Sequence, residues 1–273
     1  MSRNNAFSEF ERKGWNTTAG VYDVHFGHRT SKYADPLLDL AAVGANSDVL
    51  DLACGPGYLS AAAHERGSHV VGVDFAGEMV KEAQKRYPAL SFQSGDAEDL
   101  SFEDNRFDAV VMGFGMLHLA HPEAAASEAY RVLKTNGRFA FSVWGNPDEV
   151  CRGTGIINKA IQDHANLDLG LPNGPPVFRF ADYTEAERLL TEAGFSDVVI
   201  KRVDQAWLLQ EASELLTIFQ KAGVRAGEVL RAQTDSALEA IREQVIRDVE
   251  TFRTGDQFRV PMGAVISSGK KTG

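Results

Sequence analysis

Val49-Leu50-Asp51-Leu52-Ala53-Cys54-Gly55-Pro56-Gly57-Tyr58 is the stretch whose reading decides the fold. A short apolar run carrying a carboxylate passes through a glycine-rich turn and opens at once into a helical pattern. That reads as strand, tight turn and helix start. Glycines at 55 and 57 let the backbone adopt dihedrals closed to other residues and approach a ligand closely, so a cofactor can lie against the turn and the helix N-terminus. A Gly-x-Gly by itself is equally compatible with a plain βα turn.

The following strand supplies a second signal. His69-Val70-Val71-Gly72-Val73-Asp74 closes on an acid about 20 residues beyond the glycines, where a doubly wound nucleotide-binding fold places the carboxylate that grips ribose hydroxyls. A dinucleotide dehydrogenase shares both signals. Three details point away from nicotinamide: Ser60 stands where Gly-x-Gly-x-x-Gly ends in glycine, Asp51 lies inside the first strand, and Gly95-Asp96-Ala97-Glu98-Asp99-Leu100 follows a third strand.

At these residues the chain resembles the class I S-adenosylmethionine-dependent methyltransferases, in particular the small-molecule branch that includes the ubiquinone and menaquinone biosynthesis enzymes. The resemblance covers residues 35–145 and resumes weakly over 182–207. It implies that Asp51 and the backbone of Ala53 and Gly55, in the turn completed by Gly57, face the methionyl part of S-adenosylmethionine. It implies further that Asp74 takes both ribose hydroxyls, Phe75 and Met79 flank the adenine, and Asp96 after Gly95 reads its amino edge with the Ala97 amide. Met112-Gly113-Phe114-Gly115-Met116-Leu117-His118 matches the family's exit from strand four, where the backbone near Gly113 and Phe114 would pass the methionyl ammonium.

Composition fits this reading. The chain has 273 residues, 44% of them hydrophobic, enough for a large core. A net charge of −10 disfavours nucleic acid as a partner, because phosphate binding runs on clustered Lys and Arg. Two cysteines, Cys54 and Cys151, are too few for a disulfide framework or a thiolate metal site, and a reducing compartment, the cytoplasm, follows. No run approaches the roughly 18 apolar residues of a membrane span, and Met1-Ser2-Arg3-Asn4-Asn5 is too polar for a signal peptide.

Strands are expected at 48–53, 69–74, 90–94, 107–112 and 138–144, with helices at 57–67, 76–87 and 122–134 between them. Gly67 and Pro88 stop the first two helices and Pro122 opens the third. Asp35-Pro36 is expected to cap and open an earlier helix. Such alternation predicts an α/β fold with a mostly parallel, doubly wound sheet covered on both faces; the resemblance implies its seven-stranded Rossmann-like form with an antiparallel edge, and the insertion reads as a helical cap. A helix near 154–168 and another capped by Thr184-Glu185-Ala186-Glu187 and stopped at Gly194 precede a strand at 196–207. Residues 258–267 supply the last strand. We divide the chain into an N-terminal lid (1–34), a core (35–207 with 257–273, of which 145–181 is variable) and a helical insertion (208–256).

The insertion's second helix carries Leu238, Ile241, Val245, Val249 and Phe252 in one apolar stripe. The stripe is either a structural flap or homodimer surface, or part of a roof closing an acceptor pocket with the N-terminal segment from Trp15 to Tyr33. Sheets of this kind bind ligands beyond the carboxyl ends of their strands. Trp15, Tyr22, Phe26, Tyr33, Phe178, Phe180 and Tyr183 all lie in segments expected to close over that edge, which suits an apolar or aromatic small-molecule acceptor.

Methyl transfer is an in-line displacement, so the protein orients the reactants, excludes water and removes a proton where required. His118 is the first candidate for a base, against the alternative of a histidine packed in its loop. Tyr22, His25 and His28 on the lid are second candidates, and His121 reads as an exposed helix-entry residue. The strand-four exit lacks the Asn/Asp-Pro-Pro-aromatic sequence of adenine and glutamine amino methyltransferases. Cys54 reads as a turn residue, and no His, Cys and carboxylate cluster has metal-ligand spacing. A protein that keeps the fold and the bound cofactor without transferring methyl is the runner-up.

Overall fold

The computed structural model describes residues 6–273, so the polar opening at 1–5 lies outside it. The chain enters through α1 (Ala6–Tyr22), a π-helical turn (Asp23–Gly27), α2 (His28–Thr30), a 3₁₀ turn (Ser31–Tyr33) and α3 (Ala34–Leu40). It then alternates: β1 (Asp48–Leu52), α4 (Tyr58–Glu65), β2 (His69–Asp74), α5 (Gly77–Arg86), β3 (Ser91–Ser94), β4 (Phe107–Gly113), α6 (Pro122–Val132) and β5 (Leu133–Trp144). After α7 (Arg152–His164), α8 (Tyr183–Glu192), β6 (Phe195–Val203) and β7 (Ala206–Leu209) come α9 (Glu214–Ala222), α10 (Arg225–Arg231) and α11 (Asp235–Glu250). β8 (Arg253–Thr254), β9 (Gln257–Pro261) and β10 (Ala264–Lys271) close the chain.

Seven strands form one sheet in the order β3-β2-β1-β4-β5-β10-β6. The first five are parallel, and β10 runs antiparallel to both β5 and β6. Val49, Leu50 and Leu52 of β1 and Val110, Val111 and Met112 of β4 are fully buried, because helices cover both faces of a parallel sheet. The strand order reverses between β1 and β4, so their carboxyl ends part and leave a crevice.

Two expected strands are each divided between two sheets. β6 ends at Val203 and β7 begins at Ala206; β9 ends at Pro261 and β10 begins at Ala264. β7, β9 and β8 form a separate three-stranded sheet that packs with the cap helices. The crossing is pinned where the Met262 amide donates to the Gln205 carbonyl at 2.8 Å and the Gly263 amide to the Val150 carbonyl at 2.9 Å. A Cβ at Gly263 would sit 2.4 Å from a Val150 methyl, so glycine allows the two strands to part there.

Helix boundaries correct the sequence reading in four places. Asp35 lies inside α3, because the chain arrives already helical through Tyr33, and its carboxylate pairs with Arg66 at 2.8 Å. α8 is capped by Asp182, which accepts the Thr184 and Glu185 amides, and not by Thr184. The helix expected at 154–168 runs from Arg152 to His164. The apolar stripe belongs to the third helix of the insertion, α11, and Phe252 falls beyond its end. Ile241, Val245 and Val249 are completely buried, with α11 packed against α7, so this stripe is covered within the chain and is no dimer surface.

Candidate active site

The turn after β1 is built on left-handed backbone. Ala53, Gly55 and Gly57 have φ of 50°, 52° and 86°. The Cys54 amide extends the ladder to the Val73 carbonyl at 3.1 Å, and the Gly57 amide closes the turn on the Cys54 carbonyl at 3.0 Å. Asp74, at the end of β2, fastens this turn to the next: its carboxylate accepts the Gly55 amide and the Ala76 amide, each at 2.8 Å. Phe114, where β4 exits, also has a positive φ, 57°. Such strain in an alanine and a phenylalanine costs on the order of 1 kcal/mol or more each and gathers where a ligand is held.

These ends surround one cavity of about 770 Å³. Its floor brings together Ala53, Gly55, Asp74, Phe75, Met79, Gly95, Asp96, Ala97, Gly113 and Phe114. A recess of about 60 Å³ shares Ala53, Gly55, Gly113 and Phe114 with it and adds Asp51. Gly57 lines neither: it opens α4 with its back to the Phe92 ring, 2.7 Å from where a Cβ would stand, so its part is to shape the turn. Asp96 lines the cavity while one of its oxygens accepts the Glu98 amide at 2.9 Å; Asp104 points outward to Arg131.

Asp51 and Asp74 give the site its electrostatic character. Both are buried, and neither has a Lys or Arg partner among the described residues. Burial pushes Asp51 up to about 7, against the 2.6 Å hydrogen bond from Ser60, and pushes Asp74 up to about 6, against its two backbone donors. The other oxygen of Asp51, Oδ1, is buried without a hydrogen-bond partner. A Cβ added at Gly55 would meet no protein atom within 4 Å. Two acids without counter-charge, an orphaned acceptor and an open glycine cradle fit a cationic, hydroxyl-bearing ligand such as S-adenosylmethionine.

The roof comes from two directions. α1 presents Phe7, Glu11, Trp15 and Tyr22 to the cavity, and the π-helical turn adds Phe26. Beyond that floor the walls are Trp144, Phe178, Phe219 and Val229, with the half-exposed Leu167 and Val177 at the rim. Tyr33, with its hydroxyl on the Met262 carbonyl, lines only the recess. Phe180 is buried against Phe141 and Tyr183 is exposed, so neither joins the pocket. Sequence reasoning also missed Asn158 of α7, which lines the cavity with its side-chain amide unpartnered among the described residues.

His118 sits in a 3₁₀ turn after β4 and lines the cavity. Its Nδ1 lies 2.9 Å from the Glu11 carboxylate, and Trp15 meets its ring edge-on at 4.7 Å. Tyr22 also lines the cavity; burial raises its phenol above the usual value, which suits a neutral hydroxyl and not a base. His25 and His28 do not line the cavity, and His28 is exposed. His121 is the half-buried residue before α6. Cys54 is buried, which holds its thiol well above the usual range. No group of three or more His, Cys, Asp or Glu among the described residues could hold a metal ion, and no helix there is long and apolar enough to cross a membrane.

The geometry has counterparts in known proteins. Residues 50–141 match the methyltransferase domain family. The chain is 35% identical over 193 residues to a demethylmenaquinone methyltransferase of Paenarthrobacter aurescens, covering 67% of this chain and 76% of that protein. Further demethylmenaquinone methyltransferases match over about half of their own length. Among solved structures, the YcgJ protein of a Bacillus shares the fold at a TM-score of 0.56 and 20% identity, covering 89% of this chain and 99% of that one. Phosphoethanolamine N-methyltransferase 2 of Haemonchus contortus, solved with S-adenosyl-L-methionine, superposes at 0.52 and 18% identity, over 89% of this chain and 53% of that one.

The chain therefore belongs to the class I S-adenosylmethionine-dependent methyltransferases that act on small molecules. S-adenosylmethionine is its cofactor.

Proposed function

We propose that this enzyme methylates a hydroquinone-type aromatic acceptor carrying an apolar tail, with His118 taking a proton from the acceptor's ring hydroxyl. The observation that carries the reading is the single cavity in which the carboxyl-end residues Asp74 and Asp96, His118 and the aromatic cap meet. An aromatic ring suits walls of Trp144, Phe178 and Phe219, and the unpartnered Asn158 amide can bond a ring oxygen. Exposed Leu167 and Val177 at the rim offer an apolar exit for a tail. The name of the Paenarthrobacter relative, a demethylmenaquinone methyltransferase, supports the same acceptor class.

When bound, S-adenosylmethionine supplies a methyl group on a sulfonium, the activated species of the reaction. Asp74 is assigned to the ribose hydroxyls, Phe75 and Met79 to the adenine faces, Asp96 and the Ala97 amide to its edge, and Asp51 with Ala53, Gly55, Gly113 and Phe114 to the methionyl end. Gly57 holds the turn that positions them. The aromatic roof excludes water and holds the ring in line. With Nδ1 on Glu11, His118 has Nε2 free to accept the hydroxyl proton, which raises electron density at the ring carbon that takes the methyl. Tyr22, neutral by burial, serves as a hydrogen-bond donor.

Two buried free cysteines support a reducing compartment, the cytoplasm, and an acidic chain disfavours nucleic acid. We divide the molecule into lid (1–34), core (35–207 with 257–273) and insertion (208–256), the small sheet of β7, β9 and β8 bridging the core and the insertion. The test is incubation with methyl-labelled S-adenosylmethionine and a chemically reduced short-tail demethylmenaquinone, followed by mass spectrometry. Label in the quinol ring with matching S-adenosylhomocysteine is expected. Bound cofactor with no label transferred to this quinol sinks the acceptor assignment.

A further inference from the structure

α1 places a carboxylate where its pattern calls for an apolar side chain. Phe7, Glu11 and Trp15 recur at steps of four, Tyr22 follows two turns later on the same face, and all four line the cavity. Glu11 is 3% exposed. It has no Lys or Arg partner among the described residues, and its hydrogen bond is to His118 Nδ1 at 2.9 Å. Taking an ionised carboxylate out of water costs several kcal/mol. A helix that only had to be fastened to the turn after β4 would be held more cheaply by a leucine, since buried ion pairs are commonly replaced by apolar side chains without loss of stability.

We infer that Glu11 is a positioning residue for His118, so that the base is complete only when the N-terminal helix lies over the pocket. This rests on the assignment of His118 as the base. A carboxylate only accepts hydrogen bonds, so Nδ1 carries the proton and donates it to Glu11. In the form of the ring that can act as a base, Nε2 is then unprotonated; it has no partner among the described residues, and the side chain is 25% exposed and lines the cavity. When Nε2 takes the acceptor's hydroxyl proton the ring becomes cationic, and the adjacent carboxylate stabilises that charge. Trp15, one turn after Glu11 on the same face, packs edge-on against the imidazole and blocks rotation of the ring. The balance closes: the hydroxyl proton goes to His118 as the ring carbon takes the methyl and S-adenosylhomocysteine is left behind, that carbon then loses its own C–H proton to water to restore the aromatic ring, and His118 returns its proton to the ring oxygen, so one proton is released per methyl.

The placement also couples closure to chemistry. Glu11 and Trp15 both come from α1, which packs on α5 and is joined to the core through the π-helical turn at 23–27. The base is therefore poorly oriented whenever that helix is displaced, which limits proton abstraction to the water-excluded state.

Two variants test this: Glu11→Gln, which removes the charge, and Glu11→Leu, which removes the acceptor and keeps an apolar side chain. Nitrogen-15 NMR of His118 in the cofactor-free protein reads the tautomer without any turnover. The wild type is expected to show protonated Nδ1 and free Nε2, and the Leu variant the reverse. With the reduced short-tail quinol, kcat of the Leu variant should fall about a hundredfold, while acceptor KM and S-adenosylhomocysteine affinity stay within about twofold. Glu11→Leu added to His118→Ala should cost nothing beyond His118→Ala alone. Protonated Nε2 in the wild type, or full multiplicative loss in the double variant, overturns the inference. Failure of the wild type to methylate the quinol would strike the acceptor assignment instead, and the NMR result would still decide for or against Glu11.

Discussion

Asp74 carries two duties that the sequence could not separate. It is assigned to ribose, and it also accepts the Gly55 and Ala76 amides. Asp74→Ala should weaken S-adenosylhomocysteine binding by about 2–3 kcal/mol, the scale of charge-assisted hydrogen bonds. The unfolding midpoint should fall as well, since two backbone donors lose their partner. Calorimetry and thermal denaturation read the two losses separately, and unchanged affinity removes the ribose assignment. Asp96 and Asp104 make a second contrast: one lines the cavity and the other is an exposed partner of Arg131. Asp96→Asn should weaken cofactor binding, whereas Asp104→Ala should leave it alone. Equal effects would mean a general electrostatic role.

Among the elements, α1 and α9 contribute to different parts of the cavity. Trp15 of α1 packs on the cluster that contains Met79 and against His118, and with Met79 assigned to the adenine, Trp15→Ala should lower both S-adenosylhomocysteine affinity and turnover. Phe219 of α9 packs on Phe26 and Trp207, away from the cofactor floor. With Phe219 assigned to the acceptor wall, Phe219→Ala should leave cofactor affinity unchanged and reduce quinol turnover on the order of tenfold to a hundredfold through poorer positioning and admitted water. Equal loss of cofactor affinity in both variants would mean that the cap does not form a distinct acceptor wall. Glu11 was legible in principle as a carboxylate inside an apolar stripe. Its significance depended on a contact with His118, 107 residues away.

For the molecule as a whole, the two buried acids set a pH dependence. Asp51 stands at about 7 and Asp74 at about 6 in the folded protein, above the unfolded value near 3.9. Folding therefore favours their protonated forms. The stability they contribute is fully present below about pH 4 and is lost as the pH rises through about 6 and 7. The cofactor-free protein should lose thermal stability between pH 5 and 8 more steeply than Asp51→Asn, which lacks one of these groups. A cationic ligand favours the ionised carboxylates, so its stabilising shift should be larger at pH 8 than at pH 5.5. Scanning calorimetry across that range checks both, and parallel pH curves for the wild type and Asp51→Asn would contradict the burial argument.

The sequence by itself determined the sheet and its cofactor edge. A continuous apolar run must be buried on both faces, and a glycine turn followed by an acid 19 residues after Gly55 has few structural solutions, as the Gly55 bond to Asp74 shows. Those signals are local, carried by neighbours along the chain. Only tertiary structure decided where strands change sheets, which aromatics meet over the cavity and which carboxylate stands behind His118. Residues 196–207 read as one strand, yet the chain changes sheets between Val203 and Ala206, where the Met262 and Gly263 amides bond the Gln205 and Val150 carbonyls. Phe180 and Phe178 look alike in sequence, yet one packs into the core against Phe141 and the other lines the pocket. Apolar character specifies burial, but which surface does the burying is fixed by elements far away in the chain.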